Sequence, residues 1–211
     1  MANLKDIRDR IKSVKSIQQV TNAMKMVAAA KMRRAQENME KARPYSSRLA
    51  EMLESLIPEI DRSLMPELNI RPVERTLFVV ITADRGMAGA FNHNVLRKAH
   101  HAIDAVGKDN SDILCVGKKA CGYFKNRSYP IALEFMDFWN DLGYEHAMNL
   151  GLEIVSRFVK GEVDQVQVIY NRFINVARQE IKNDTFLPMS YNPEKKEESY
   201  ISDRLFEPSK E

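Results

Sequence analysis

Apolar positions recur with the period of an α-helix from Leu4 to Ile57, a stretch without glycine in which Pro44 is the only proline. In a heptad frame, one set of seam positions reads Leu4, Ile11, Gln18, Lys25, Met32, Met39, Ser46 and Leu53. The other reads Ile7, Val14, Thr21, Ala28, Ala35, Ala42, Leu49 and Leu56. Twelve of these sixteen are apolar, which is coiled-coil behaviour. The exceptions Gln18, Thr21, Lys25 and Ser46 fall where the stripe moves to a second face through Ile17, Val20, Met24 and Val27, and a changed seam predicts a locally altered supercoil. At about 1.5 Å per residue such a helix reaches roughly 80 Å, so it is expected to project as a rod. A helix with one apolar stripe needs a partner helix to bury it, and the Ala28-Ala29-Ala30 run lets a neighbouring backbone come close. Pro44 removes one intrahelical hydrogen bond, which predicts a kink near Arg43.

The pattern changes after residue 57. Residues 58–74 contain Pro58, Pro66 and Pro72, lack periodicity and read as a linker. Beyond them short apolar runs alternate with amphipathic stretches. Strands are expected at Thr76 to Thr82, Asp112 to Val116, Ile131 to Phe135 and Gln165 to Tyr170, and helices over about Asn92 to Val106, Lys118 to Asn126 and Tyr144 to Lys160. Phe173 to Pro188 reads as one or two further extended segments, an edge hairpin or a tail over the sheet. Repeated strand, helix, strand order predicts an α/β fold: a Rossmann-like layer domain with a largely parallel sheet over residues 75–190, joined to a long N-terminal coiled-coil helix over 1–57. The tail, 191–211, carries the charged run Asn192 to Ser199 and closes on Phe206-Glu-Pro-Ser-Lys-Glu211, which has the proline and acids of a helix start. The sequence stops there, so the expected second helix of the coiled coil is absent and the chain reads as cut short.

Charge sharpens this picture. The chain of 211 residues has a net charge of +3, yet residues 1–58 hold twelve Lys and Arg against six Asp and Glu, and the remainder is mildly acidic. Between Arg10 and Gln36 lie Arg10, Lys12, Lys15, Lys25, Lys31, Arg33 and Arg34 without one carboxylate. That surface is suited to an anionic partner: nucleic acid, anionic lipid or an acidic protein surface. The apolar runs fall far short of a membrane span, so no direct membrane insertion is expected. Cys115 and Cys121 lack metal-ligand spacing and form no C-x-x-C pair, which fits a reducing compartment better than a disulfide scaffold. The start, Met1-Ala-Asn-Leu-Lys-Asp, lacks a signal core and the look of a transit peptide, and reads as cytoplasmic.

Candidate chemistry is sparse. The strand followed by Gly86-Met-Ala-Gly89 and a helix superficially resembles a phosphate-binding turn, but the third glycine of the dinucleotide fingerprint and any Gly-Lys-Ser/Thr are missing. The glycines are read as permitting a tight turn. His93, His100, His101 and His146 form no metal-binding pair. Asp84 beside Arg85 is read as loop hydrogen bonding or an ion pair. Phe135, Phe138 and Trp139 are read as core aromatics in preference to a stacking platform for bases. No cofactor, metal or catalytic residue is therefore assigned. The rival from another class is a basic coiled-coil nucleic-acid-binding protein with an α/β domain.

Long blocks of the sequence carry a resemblance. Ser13-Val-Lys-Ser-Ile-Gln-Gln-Val-Thr-Asn-Ala-Met-Lys-Met-Val-Ala-Ala-Ala-Lys-Met32, Arg43-Pro-Tyr45, Thr82-Ala-Asp-Arg-Gly-Met-Ala-Gly-Ala-Phe-Asn92, Asn171-Arg-Phe-Ile-Asn175, Leu187-Pro188 and Phe206-Glu-Pro208 occur in one order along the chain. Together they resemble the gamma-subunit family of F-type ATP synthase, the central rotor shaft. The resemblance implies a helix on the axis of the catalytic head of alpha and beta subunits, paired with a carboxy-terminal helix. It also implies an α/β domain at the foot against the epsilon subunit and the membrane c-ring. It implies a non-catalytic, peripheral subunit at the cytoplasmic face of the bacterial inner membrane. By position, Met24, Lys25, Lys31 and Arg33 would lie near acidic loops of the beta subunits, Arg85 would touch the head, and Tyr200 to Phe206 would lie close to the ring. Three departures stand out: the missing second helix, a loop reading Gly-Met-Ala-Gly-Ala where the family has Gly-Leu-Cys-Gly-Gly, and no dithiol insertion of the light-regulated kind.

Overall fold

The computed structural model describes residues 3–57, 65–137, 139 and 143–189. They divide into two units, one containing the N-terminal helix and one the α/β domain. The proposed tail, with Tyr200 and Phe206, lies outside the described residues.

In the first unit, α1 (Leu4–Leu56) runs for 53 residues without a buried side chain. Polar residues at the seam are accommodated by bonding back to the helix. Thr21 Oγ1 donates to the carbonyls of Ile17 and Gln18 at 2.8 and 3.0 Å, and Ser16 Oγ to Lys12 O at 3.1 Å. Such back-bonding lets a hydroxyl sit inside a helix without competing for its backbone. Pro44 lies inside α1 and has no N–H to give to the Glu40 carbonyl. Ser46 Oγ, two residues on, donates to Arg43 O at 3.0 Å.

In the second unit, β1 (Thr76–Ile81), α2 (Ala90–Val106), β2 (Ser111–Val116), α3 (Lys118–Lys125), β3 (Ile131–Phe135), α4 (Tyr144–Val159), β4 (Gln165–Asn175) and β5 (Arg178–Leu187) follow in order. They build one five-stranded sheet ordered β3-β2-β1-β4-β5. Three pairings are parallel, β1 with β2, β1 with β4 and β2 with β3, and β4 with β5 is antiparallel. The segment after Tyr170 is an edge hairpin: β4 outruns its pairing with β1, which ends at Ile169, and turns back as β5.

The sheet has a packed core on each face. Phe78 and Val80 of β1 meet Val95, Leu96, Ala99 and Ile103 of α2 and Phe124 of α3 on one side. Leu77, Val79, Leu114 and Val116 meet Ile154 and Phe158 of α4 on the other. A strand covered on both faces is read as a continuous apolar run, which is why Leu-Phe-Val-Val-Ile could be placed at the centre. Cys115 and Cys121 both sit in the first core as free thiols, and burial pushes each thiol up from its ordinary value. They are packing residues there, since the nucleophilic form is the thiolate.

At the amino ends of the strands a polar clasp pins the lead-in segment. Asp164 accepts from Arg71 Nε at 2.7 Å and from the backbone N–H groups of Glu74 and Arg75 at 3.0 Å each. Arg71 also donates to the carbonyls of Phe158 and Val163 and lies 4.6 Å over the Phe158 ring. Burial alone would raise the Asp164 carboxyl, but the backbone donors of Arg75 and Glu74 and the Arg71 guanidinium outweigh it, and its pKa falls below the ordinary aspartate value. A depressed folded pKa adds stability that is complete above the unfolded value of about 3.9 and is lost as pH falls through the folded one. Urea unfolding between pH 5 and pH 3 should therefore show a smaller acid loss in Asp164→Asn than in the wild type. At pH 7 the variant should be less stable by about 1–3 kcal/mol.

Candidate partner interface

Two surfaces concentrate exposed groups of the kind that bind a partner, one on each unit. On α1 the residues singled out by sequence are all exposed. Met24 is 66% exposed, and the Arg33 side chain is 84% exposed, with its Nε 3.2 Å from Glu37 Oε1. At 100° per residue they do not form one patch: Met24 and Lys31 share a face, and Arg33 lies about 180° from Met24. Taken together, the seven cations between Arg10 and Gln36 leave no gap around the helix wider than about 80°. Apolar groups lie among them, with Ile17, Val20 and Val27 each near 60% exposed.

Among the described residues, α1 has no buried side chain to protect its backbone. In the chain alone, amides of α1 between Arg10 and Gln36 should exchange with solvent at least about a hundredfold faster than those of Val79 and Val80. Native-state hydrogen exchange measures this, and equal protection would mean that the stripe is already covered.

The second surface is the loop between β1 and α2. It leaves the carboxyl end of β1, the strand from which the order of connection reverses, where open α/β sheets commonly bind ligands. Its first half is tied down residue by residue. Thr82 N donates to Val116 O at 2.8 Å, and Thr82 Oγ1 accepts from Ala120 N at 2.9 Å. Ala83 N donates to Asn92 Oδ1 at 3.0 Å, and Asn92 Nδ2 returns a bond to Arg85 O at 3.1 Å. Asp84 Oδ1 accepts from Lys118 N at 2.8 Å and so caps the start of α3. Of the two uses foreseen for Asp84, the structure shows the hydrogen bond.

Gly117 has φ +96°, and a side chain there would run into the Thr82 carbonyl. Only glycine lets the turn from β2 into α3 come this close. Lys119 Nζ lies 3.2 Å from where a side chain on Gly86 would begin. Beyond Gly86 the ties are sparser, with Ala88 O accepting from Phe91 N at 3.2 Å at the entry to α2. Met87 stands fully exposed at φ +57°, an uncommon backbone conformation for a residue with a side chain and one that marks functional loops.

This arrangement does not make a phosphate cradle. The Ala83 N–H is taken by Asn92, the loop lacks the third glycine and the Gly-Lys-Ser/Thr of the known phosphate turns, and Arg85 is exposed. Among the described residues no group of three or more His, Cys, Asp and Glu is placed to hold a metal ion. What the loop can do is present a cation and an apolar tip on a stiff base.

One reading from sequence is corrected. Trp139 is not a core aromatic: it is 38% exposed and its indole N–H donates to Thr82 O at 2.8 Å. An amphipathic ring settles where its polar edge finds a partner. Phe135 is half-buried against the α4 side of the sheet, and Phe138 lies outside the described residues. Two residues that bond to the loop, Asn92 and Trp139, were not foreseen in that position. An Asn in the first turn of a helix after a glycine loop is a signal that could have been used. Nothing local marks Trp139.

Comparison with known proteins shows the family and the fold. The family model described as ATP synthase matches residues 3–211. The ATP synthase gamma chain of Prosthecochloris aestuarii is 43% identical over 215 residues, covering 99% of this chain and 73% of that one. That of Desulforamulus reducens is 38% identical, covering 100% and 74%. Among solved structures, the central stalk and c-ring structure of Tetrahymena thermophila mitochondrial ATP synthase matches with a TM-score of 0.65 at 25% identity, covering 80% of this chain and 72% of its own. The rotor of the Euglena gracilis enzyme shares the fold, with a TM-score of 0.56 at 21% identity over 87% and 62%.

Proposed function

The chain belongs to the ATP synthase gamma-chain family, and on that premise we propose how its two surfaces divide the work of a central-stalk rotor. The rotor couples rotation of the ion-driven ring to conformational change in the catalytic head. In this reading α1 sits within the ring of alpha and beta subunits. Lys25, Lys31 and Arg33, with Met24 beside them, face acidic loops of the beta subunits, and Arg85 touches the head from the loop after β1. Tyr200 and Phe206 face the c-ring, and the epsilon subunit lies against the α/β domain. The chain has no active site of its own and works as a peripheral subunit at the cytoplasmic face of the bacterial inner membrane. Among the described residues no helix is long and apolar enough to cross a membrane. The nucleic-acid reading is set aside: relatives 38–43% identical to this chain are gamma chains of ATP synthase.

The observation that carries the reading is α1 itself, a 53-residue helix with no buried side chain and cations around its whole circumference. Exposed ion pairs contribute about 0.2–1 kcal/mol each. Replacing Lys25, Lys31 and Arg33 together by alanine should therefore weaken coupling in the assembled complex roughly thirtyfold, as about 2 kcal/mol implies. The effect should shrink as salt rises toward 1 M. ATP-driven ion pumping and ATP synthesis in vesicles measure it, and unchanged rates in both would count against the role of these charges.

A further inference from the structure

We propose that Trp139 is a positioning residue that fixes the base of the loop 83–89 and so sets where Arg85 and Met87 are held. The proposal rests on the reading of Arg85 as a contact to the catalytic head. It goes beyond that reading by assigning the contact's geometry to a residue on a different loop, 57 residues from Thr82 along the chain.

The argument begins where β1 ends. Thr82 N makes the last bond toward β2, to Val116 O, and its carbonyl then faces the turn at Gly117. Thr82 is 2% exposed, so water does not reach that carbonyl, and a buried acceptor needs a protein donor. The indole N–H supplies it at 2.8 Å. Thr82 is also the residue from which the loop departs, so the direction of its peptide plane decides where Ala83 to Met87 go.

Trp139 is in turn held in place. The Gly117 N–H donates to Phe135 O at 2.9 Å, locking the end of β3 to the same turn. Lys118 then serves both loops. Its backbone N–H binds Asp84, and its Nζ lies 2.7 Å from Asp137 Oδ1. Asp137 itself takes φ +61°. Phe135, Asp137 and Trp139 are therefore bound to the segment 82–86 through Gly117 and Lys118, with the indole closing the circuit. Everything up to Gly86 is fixed and only the tip projects.

The test uses Trp139→Phe, which keeps an aromatic ring and removes the donor. In the chain alone, the hydrogen-bonded amides at the two ends of the loop, Ala83 on Asn92 Oδ1 and Phe91 on Ala88 O, should exchange about five- to tenfold faster than in the wild type, with β1 and β2 unchanged. Unchanged loop exchange overturns the proposal. So does an equal acceleration across β1, β2 and α3, which would make Trp139 a general stabiliser. In the assembled complex, Trp139→Phe should lower coupled ATP synthesis, and the loss in the double variant with Arg85→Ala should be smaller than the sum of the two single losses, since both act through one loop. Fully additive losses overturn the proposal. If Arg85→Ala leaves coupling intact, the head-contact reading fails, and the exchange result still decides whether Trp139 positions the loop.

Discussion

A helix of 53 residues with no side chain buried cannot be kept in shape by its own propensity. The first turn of a helix is costly and each further residue adds little, so long helices persist in water through burial of an apolar face. Here that face is laid out in the sequence and left open in the chain. Leu4, Ile7, Ile11 and Val14 share an arc of about 80°, and Ile17, Val20, Met24 and Val27 share another of similar width centred about 140° away. A soluble protein tolerates scattered exposed hydrophobics, but a continuous stripe is a surface made for covering. For a shaft inside a ring of subunits, the covering comes from the assembly.

The α/β domain meets the opposite demand. β1 is packed on both faces and paired on both edges, which makes it the least movable element of the domain. A loop springing from such a strand starts from a fixed point. The hydrogen bonds of Thr82, Ala83 and Asp84 extend that rigidity for a few residues beyond the sheet, and the glycines at 86 and 89 then release it. The result is a short projection whose base is stiff and whose tip is bare. Contact made by Arg85 would be passed to the sheet, because no flexible hinge lies between Asp84 and β1.

Much of this was legible in sequence because it depends on local periodicity. The run Leu77 to Ile81, the heptads of α1 and the turn residues before each helix announce their elements through spacing alone. The edge hairpin was left open between two descriptions because Arg172, Asn175 and Arg178 interrupt any alternation, and only the pairing of Tyr170 with Lys182 and of Asn171 with Ile181 makes it a ribbon. The role of Trp139 was hidden for a different reason. Its partner is a backbone carbonyl, which has no identity in the sequence, and the two are joined through the third-strand connection and not through a motif. An aromatic triplet in sequence looks like core. What decides otherwise is a single donor on one ring and a buried acceptor elsewhere. The clasp of Arg71 on Asp164 was invisible on the same grounds, since neither residue stands in a pattern and the pairing spans the whole domain.

The distribution of groups on α1 separates two tasks that a shaft must perform. Cations at every azimuth attract an acidic sleeve to a similar degree whatever the angle, and each exposed pair contributes at most about 1 kcal/mol. Charges spread in this way keep a shaft centred, and none of them is strong enough to act as a latch. They carry little information about angle. The apolar stripe is different, because Ile17, Val20, Met24 and Val27 lie on one side. A ring of subunits facing that side loses water from apolar surface, at about 25 cal/mol for each Å² covered, and a ring facing the other side does not. Angular asymmetry in this helix therefore resides in its apolar residues, while the basic run that first draws the eye supplies a nearly uniform attraction.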